Sequence, residues 1–313
     1  MQLFKSLPLR LSRAFAMIAA VGIGMSLENG RGTGSAIAQT PLMPEAMAAP
    51  AQTNPLDGLP EARFCQGDLQ SAIAAIVESP RFRSAQWGIV IKPIAAPTPL
   101  YERNADRALI PASNVKLLTT AAALRIFGES QPDRLASLNR WLTVVNRYSD
   151  NDQADSLLRR IGGQTAARNA LASLGVDTNG YRQVDGSGLS RNNRATPATF
   201  VTILEGMYAG NIKRINARLE SELFFDSLAI AGVNGTLRHR FHNTPLRGRL
   251  HGKTGTLRGV RALSGYLENA EYGTIAFSIV VNQPSQSGQA LVQAIDQIVL
   301  HTAQVDRCEL FHP

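Results

Sequence analysis

Ser113 and Lys116 stand three residues apart in the run Pro111-Ala112-Ser113-Asn114-Val115-Lys116, a hydroxyl and an amine at helical spacing. On a helix, positions three apart share a face, so the amine lies beside the hydroxyl without help from a second element. Once burial has lowered its pKa, such a lysine takes the serine proton, which makes a serine acyl-transfer centre with no histidine base. Two further signals follow in order, Ser149-Asp150-Asn151 and Lys253-Thr254-Gly255. Each is weak alone: Ser137-Leu138-Asn139 has the same SxN form as 149–151. Order and setting give them weight together.

Residues 111–127, PASNVKLLTTAAALRIF, open with Pro and Ser and continue through strong helix formers, which predicts Ser113 in a first helical turn. A helix amino end supplies free N–H groups for an oxyanion forming at that serine. The second signal lies between apolar WLTVVNRY and amphipathic DQADSLLRRIGG, at a junction of helices. From there Ser149 would relay a proton to a leaving amine and Asn151 would hydrogen-bond substrate backbone. Capping of the next helix by Ser149 or Asp150 is compatible with both roles. Helical periodicity continues through Ser137-Leu138-Asn139, which is read as structural.

Stretches 247–256, 260–268 and 273–281 alternate or run apolar between short turns, as in an antiparallel meander. On the first of them Lys253 and Thr254 offer a cation and a hydroxyl to a carboxylate. Gly255 would admit an acyl group close to the strand, and Thr256 offers a second oxyanion N–H beside that of Ser113. Gly252-Lys253-Thr254 also suggests a phosphate loop. That motif needs four residues between its first glycine and GK, whereas Gly248 leaves three, and the segment opens no helix.

The blocks PASNVKLLTTAAAL, NRYSDNDQADSLLRRIGG, VDGSGLSRNNRATP, GTLRHRF and GKTGTLRGVRALSGYL resemble those of the D-alanyl-D-alanine carboxypeptidase/endopeptidase family, peptidase S13 of the low-molecular-mass penicillin-binding proteins, over roughly residues 84–300. Residues 185–191, DGSGLSR, point to this group and away from the class A β-lactamases. The resemblance implies Ser113 as nucleophile, Lys116 as base, Ser149 and Asn151 as second motif, and Lys253 and Thr254 as carboxylate binders. It also implies an α/β, β-lactamase/transpeptidase-like fold, with an antiparallel five-stranded sheet flanked by helices plus an all-helical lobe. Peptidoglycan stem peptides would be substrates and β-lactams inhibitors. Family members usually carry domains inserted between the first two motifs, yet only 32 residues separate Lys116 from Ser149 here. Core hydrolysis is therefore expected, and endopeptidase action is left open. With no equivalent of the class A deacylating glutamate, slow release of a trapped penicilloyl group is expected over rapid hydrolysis. A β-lactamase or other serine esterase, and a catalytically idle wall-binding protein, are the alternatives.

The chain has 313 residues, 44% of them hydrophobic, ample for a sizeable core. Lys5, Arg10 and Arg13 precede apolar AFAMIAAVGIGMSL, and Ala36-Ile37-Ala38 has the form of a signal-peptidase site. Residues 1–38 are thus expected to be a signal peptide, with a retained anchor as the alternative and export to the periplasm or cell envelope in either case. Pro- and Ala-rich residues 39–60 read as a flexible linker. Residues 61–313 would form the peptidase domain, its helical lobe at about 111–245 set into an α/β lobe that starts with strands 86–92 and 98–102. In an oxidising compartment Cys65 and Cys308 are expected to pair, which brings helices 66–78 and 286–303 together. DGSGLSR is no nucleophile elbow, which needs GxSxG. It should shape a loop near the cleft, with Thr196-Pro197 starting the next helix. Lys116 is expected to be depressed by burial and by nearby Lys253. The net charge of +8 suits an anionic wall polymer and plain solubility alike, and no basic-aromatic pattern suggests nucleic acid. His239, His242 and His251 lack carboxylate or cysteine neighbours at ligand spacing, so neither metal nor cofactor is expected.

Overall fold

Two strands, β7 (Val260–Asn269) and β8 (Gly273–Asn282), are buried along nearly their whole length, so other elements must cover both faces of their sheet. In this computed structural model, which describes residues 63–208 and 216–308, helices do so. The segments read as signal peptide and linker, 1–38 and 39–60, lie outside the described residues.

The sheet is antiparallel throughout, adding β1 (Gln86–Pro93), β2 (Tyr101–Arg103), β5 (Ala229–Ile230) and β6 (Leu250–Leu257) in the order β2-β1-β8-β7-β6-β5. Strand β2 starts later than the sequence suggested because Pro99 has no N–H to give a ladder. The two-residue β5 is a sixth strand within the segment expected to be helical. It pairs only with His251 and Gly252, so the rest of that edge of β6 is open.

One sheet face packs on α1 (Gln66–Val77) and α8 (Gly288–Gln304), burying Leu69, Ile73, Ile89, Leu263, Phe277, Ile295 and Ile298. The other packs on α2 (Val115–Ser130) and α6 (Pro197–Gly206) through Val90, Ala262, Tyr266, Ala276 and Val280. Helix α2 is apolar nearly all round, as a central helix must be. It is wrapped by α3 (Asn139–Asn146), α4 (Asn151–Arg160), α5 (Gly163–Ala172) and α7 (Ala217–Ser227). A small ribbon, β3 (Tyr181–Arg182) with β4 (Arg194–Ala195), closes the loop between α5 and α6. Thr196 caps α6 by accepting the Thr199 N–H, with Pro197 following, as the sequence suggested.

Cys65 and Cys308 form a disulfide across 243 residues, and α1 lies against α8. In the chain-entropy model a loop of that length stabilises by about 5 kcal/mol, with strain subtracting. A Cys65→Ser, Cys308→Ser double variant should therefore lose about 3–5 kcal/mol of unfolding free energy in a urea titration, and the reduced wild type should match it.

Candidate active site

The backbone at Ser113 is bent before it is helical. Ala112 has φ 49°, and a 3-10 turn at Ala112–Asn114 runs straight into α2, so Ser113 sits one step ahead of the first α-turn and Lys116 within it. Packing forces the bend: a Cβ on Gly188, itself at φ 87°, would lie 2.0 Å from the Ala112 carbonyl oxygen. Only glycine admits the 185–193 loop this close to the Ala112–Ser113 backbone.

The Lys116 side chain is fully buried. Its Nζ lies 3.1 Å from Ser113 Oγ, 2.8 Å from Asn151 Oδ1 and 2.5 Å from the Ser187 carbonyl oxygen. The last two are pure acceptors. A neutral amine has two N–H bonds and one lone pair, so once both N–H groups are given to those oxygens the lone pair faces the Ser113 hydroxyl. Ser187 is held in turn by the loop: Asp155 Oδ1 accepts the N–H groups of Gly186 and Ser187, and Asp185 accepts those of Gly188 and Ser190.

Ser149 occupies the junction between α3 and α4 at φ 61°, while Asp150 caps α4 by accepting the Gln153 N–H. Fully buried Lys253 donates to Ser149 Oγ at 2.8 Å and to the Thr254 carbonyl at 2.9 Å. Because Ala231 N–H donates to the Leu250 carbonyl, the even-numbered residues of β6 turn their peptide groups away from β7. The Thr256 N–H therefore opens onto the unpaired edge. Thr254 Oγ1 donates to Thr236 Oγ1 at 2.8 Å.

Ser113, Lys116 and Asn151 thus form one hydrogen-bonded group, and Ser149, Lys253 and Thr254 a second, joined through the 149–151 loop. At Gly255 a Cβ would meet the Pro111 carbonyl at 2.6 Å, so the missing side chain also makes room for the turn that carries Ser113. Ser137, bonded to the Arg134 carbonyl, and Asn139, at the start of α3, are not hydrogen-bonded to either group. Three participants escaped sequence reasoning, namely the Ser187 carbonyl, Asp155 and Thr236. DGSGLSR and GTLRHRF flagged the first and last only as blocks.

The sequence pattern of the D-Ala-D-Ala carboxypeptidase 3 (S13) family matches residues 69–132 and 133–305. The chain belongs to that family. It is 34% identical over 180 residues to the penicillin-sensitive carboxypeptidase A of Dictyostelium discoideum, covering 52% of this chain and 33% of that protein. It is 37% identical over 185 residues to the D-alanyl-D-alanine carboxypeptidase of Actinomadura sp. strain R39, covering 54% and 32%. This S13 chain therefore spans about a third of the length of the curated relatives it matches. Its fold is that of penicillin binding protein 4 from Haemophilus influenzae, solved with a β-lactam (TM-score 0.58, 15% identity, 75% of this chain and 99% of that one). It is equally that of a β-lactamase from Sphaerobacter thermophilus (TM-score 0.60, 19% identity, 75% and 96%).

In this S13 site, burial lowers Lys116 to about 8, against the pull of Asp155, Asp185 and Asp150. Lys253 is driven well below its usual range by burial and then by the Lys116 charge. Below pH 8 most Lys116 is protonated and cannot act as a base. Acylation by a fluorescent penicillin, followed by stopped flow, should rise about tenfold per pH unit and level off near 8. Asp155→Asn removes a charge that raises Lys116 and should move this limb to lower pH. Gly188→Ala should slow acylation by about 100-fold or more through displacement of Ser113.

Proposed function

We propose that the chain is a serine-type D-Ala-D-Ala carboxypeptidase that removes the terminal D-alanine of peptidoglycan stem peptides. The observation that carries this reading is the Lys116 amine, whose two pure acceptors leave its lone pair for Ser113. Ser113 Oγ attacks the carbonyl of the penultimate D-alanine and its proton passes to Lys116. The oxyanion is met by the Ser113 and Thr256 N–H groups. Ser149, with Lys253 behind it, hands a proton to the departing amine as the C–N bond breaks. Water then cleaves the ester and returns the proton to the centre. The substrate carboxylate fits the Lys253, Thr254 and Thr236 end, where an amine and two hydroxyls converge. Asn151 keeps its second role as partner to substrate backbone.

β-Lactams would acylate Ser113 as inhibitors. The three carboxylates acting on Lys116 are tied up: Asp155 and Asp185 hold backbone N–H groups of the 185–193 loop, and Asp150 caps α4. None is free to activate water, which favours a long-lived penicilloyl enzyme over β-lactamase turnover. Peptidoglycan as substrate places the chain outside the cytoplasm, in the periplasm or cell envelope. No helix among the described residues is long and apolar enough to cross a membrane.

Purified protein incubated with a peptide ending in D-Ala-D-Ala, a chromogenic cephalosporin and a fluorescent penicillin distinguishes the readings. Free D-alanine and a stable label on Ser113 are expected, both lost in Ser113→Ala. Rapid cephalosporin turnover would favour a β-lactamase, and neither release nor label an idle binding protein.

A further inference from the structure

Across the sheet face beneath α2 runs a row of polar side chains that crosses three strands. Lys253 on β6 pairs directly with Ser264 on β7, and Ser264 with Ser278 on β8. All three are fully buried. Val90, Ala262, Tyr266, Ala276 and Val280 make up the surrounding core. Hydroxyls in such surroundings cost stability unless they are hydrogen-bonded. Ser264 Oγ donates to Ser278 Oγ at 2.8 Å and accepts from Asn114 Nδ2 at 2.6 Å. Asn114 is the residue after the nucleophile, and it too is fully buried.

Asn114 also faces β6. Its Oδ1 lies 3.3 Å from where a Cβ on Gly255 would stand, beside the Pro111 carbonyl, and it is buried without a hydrogen-bond partner. A buried, half-satisfied amide is a poor choice for stability alone, since an apolar side chain would cost less there. Its place is informative: the two proposed oxyanion donors come from different elements, Ser113 from the 3-10 turn and Thr256 from β6, and Asn114, next to Ser113, packs against Gly255, next to Thr256, while bonding to Ser264 on β7.

We propose that Asn114 is a positioning residue: anchored on Ser264, it holds the Ser113 N–H and the Thr256 N–H at the separation an oxyanion needs. This rests on the acyl-transfer reading above and adds to it a buried amide-to-hydroxyl relay that sets the width of the oxyanion hole. Asn114 is fully buried, and its amide donates to Ser264. Removing its amide should therefore spare ground-state binding and act on the acylation step.

The test uses the full chain in four forms: Asn114→Ala, Ser264→Ala, their double variant, and Ser278→Ala. Each is checked for wild-type circular dichroism and melting, then mixed with a penicillin carrying a ¹³C-labelled β-lactam carbonyl. The acylation rate constant should fall by about 10- to 100-fold in Asn114→Ala and Ser264→Ala while the dissociation constant of the initial complex stays within threefold. The ester carbonyl stretch of the acyl-enzyme should shift to higher frequency as its polarisation is lost, which a packing defect alone would not produce. The double variant should be no slower than the worse single one, since both break one relay, and Ser278→Ala should give a smaller change of the same sign. Folded variants with wild-type acylation and an unshifted carbonyl would overturn the proposal, as would additive losses. Should Asn114→Ala fail to fold, the Ser264→Ala and Ser278→Ala spectra decide alone. Absence of labelling in the wild type would instead overturn the acyl-transfer reading, and this inference with it.

Discussion

Two buried lysine amines close enough to feel each other's charge are the constraint that organises this molecule. A buried amine is tolerated only if its N–H groups find acceptors and its charge is compensated or given up. Lys116 finds Asn151, Ser187 and Ser113, and Lys253 finds Ser149 and the Thr254 carbonyl. Those partners come from the junction of two helices, a glycine-rich loop and the edge of a sheet. Satisfying two amines therefore assembles three distant stretches of chain around one hydroxyl. The same burial makes Lys116 chemically useful, because an amine near 8 is within reach of its neutral form at physiological pH.

The supporting parts answer to that demand. Asp155 and Asp185 do two jobs, holding the 185–193 loop by its N–H groups and keeping Lys116 from falling further. Four described non-glycine residues have positive φ, and two of them, Ala112 and Ser149, adjoin or belong to the hydrogen-bonded groups around the buried lysines, the others being Asn104 and Phe241. Residues at such angles persist only where the surroundings over-determine them. Here the Gly188 approach fixes Ala112, and the Asp150 cap of α4 immediately follows Ser149.

Much of this was legible in the sequence, for identifiable reasons. Strands β6, β7 and β8 announce themselves by alternation between short turns, and α2 by an uninterrupted run of helix formers behind Pro111 and Ser113. The spacing of Ser113 and Lys116 is a local geometric fact that any helix start enforces. The two-residue β5 has no period to detect, and it exists only because β6 offers an edge. Ser187 acts through its carbonyl, an atom every residue possesses, so its side chain gives no hint of it. Thr236 is one threonine among many until Thr254 is placed beside it. The packing of Gly255 against the Pro111 carbonyl was not legible, because the sequence cannot say which neighbour claims the space a glycine leaves. The depression of each lysine likewise depends on how deeply its amine is buried, a property of the packed lobes.

The covalent knot between Cys65 and Cys308 has a mechanical consequence. A pull applied to the chain before residue 65 and after residue 308 travels across that single bond, and the 243-residue loop between them carries none of it. Sheet and helical lobe hang as a slack pendant on a taut line, so tension along the polypeptide bypasses the spacing of Ser113, Lys116 and Lys253.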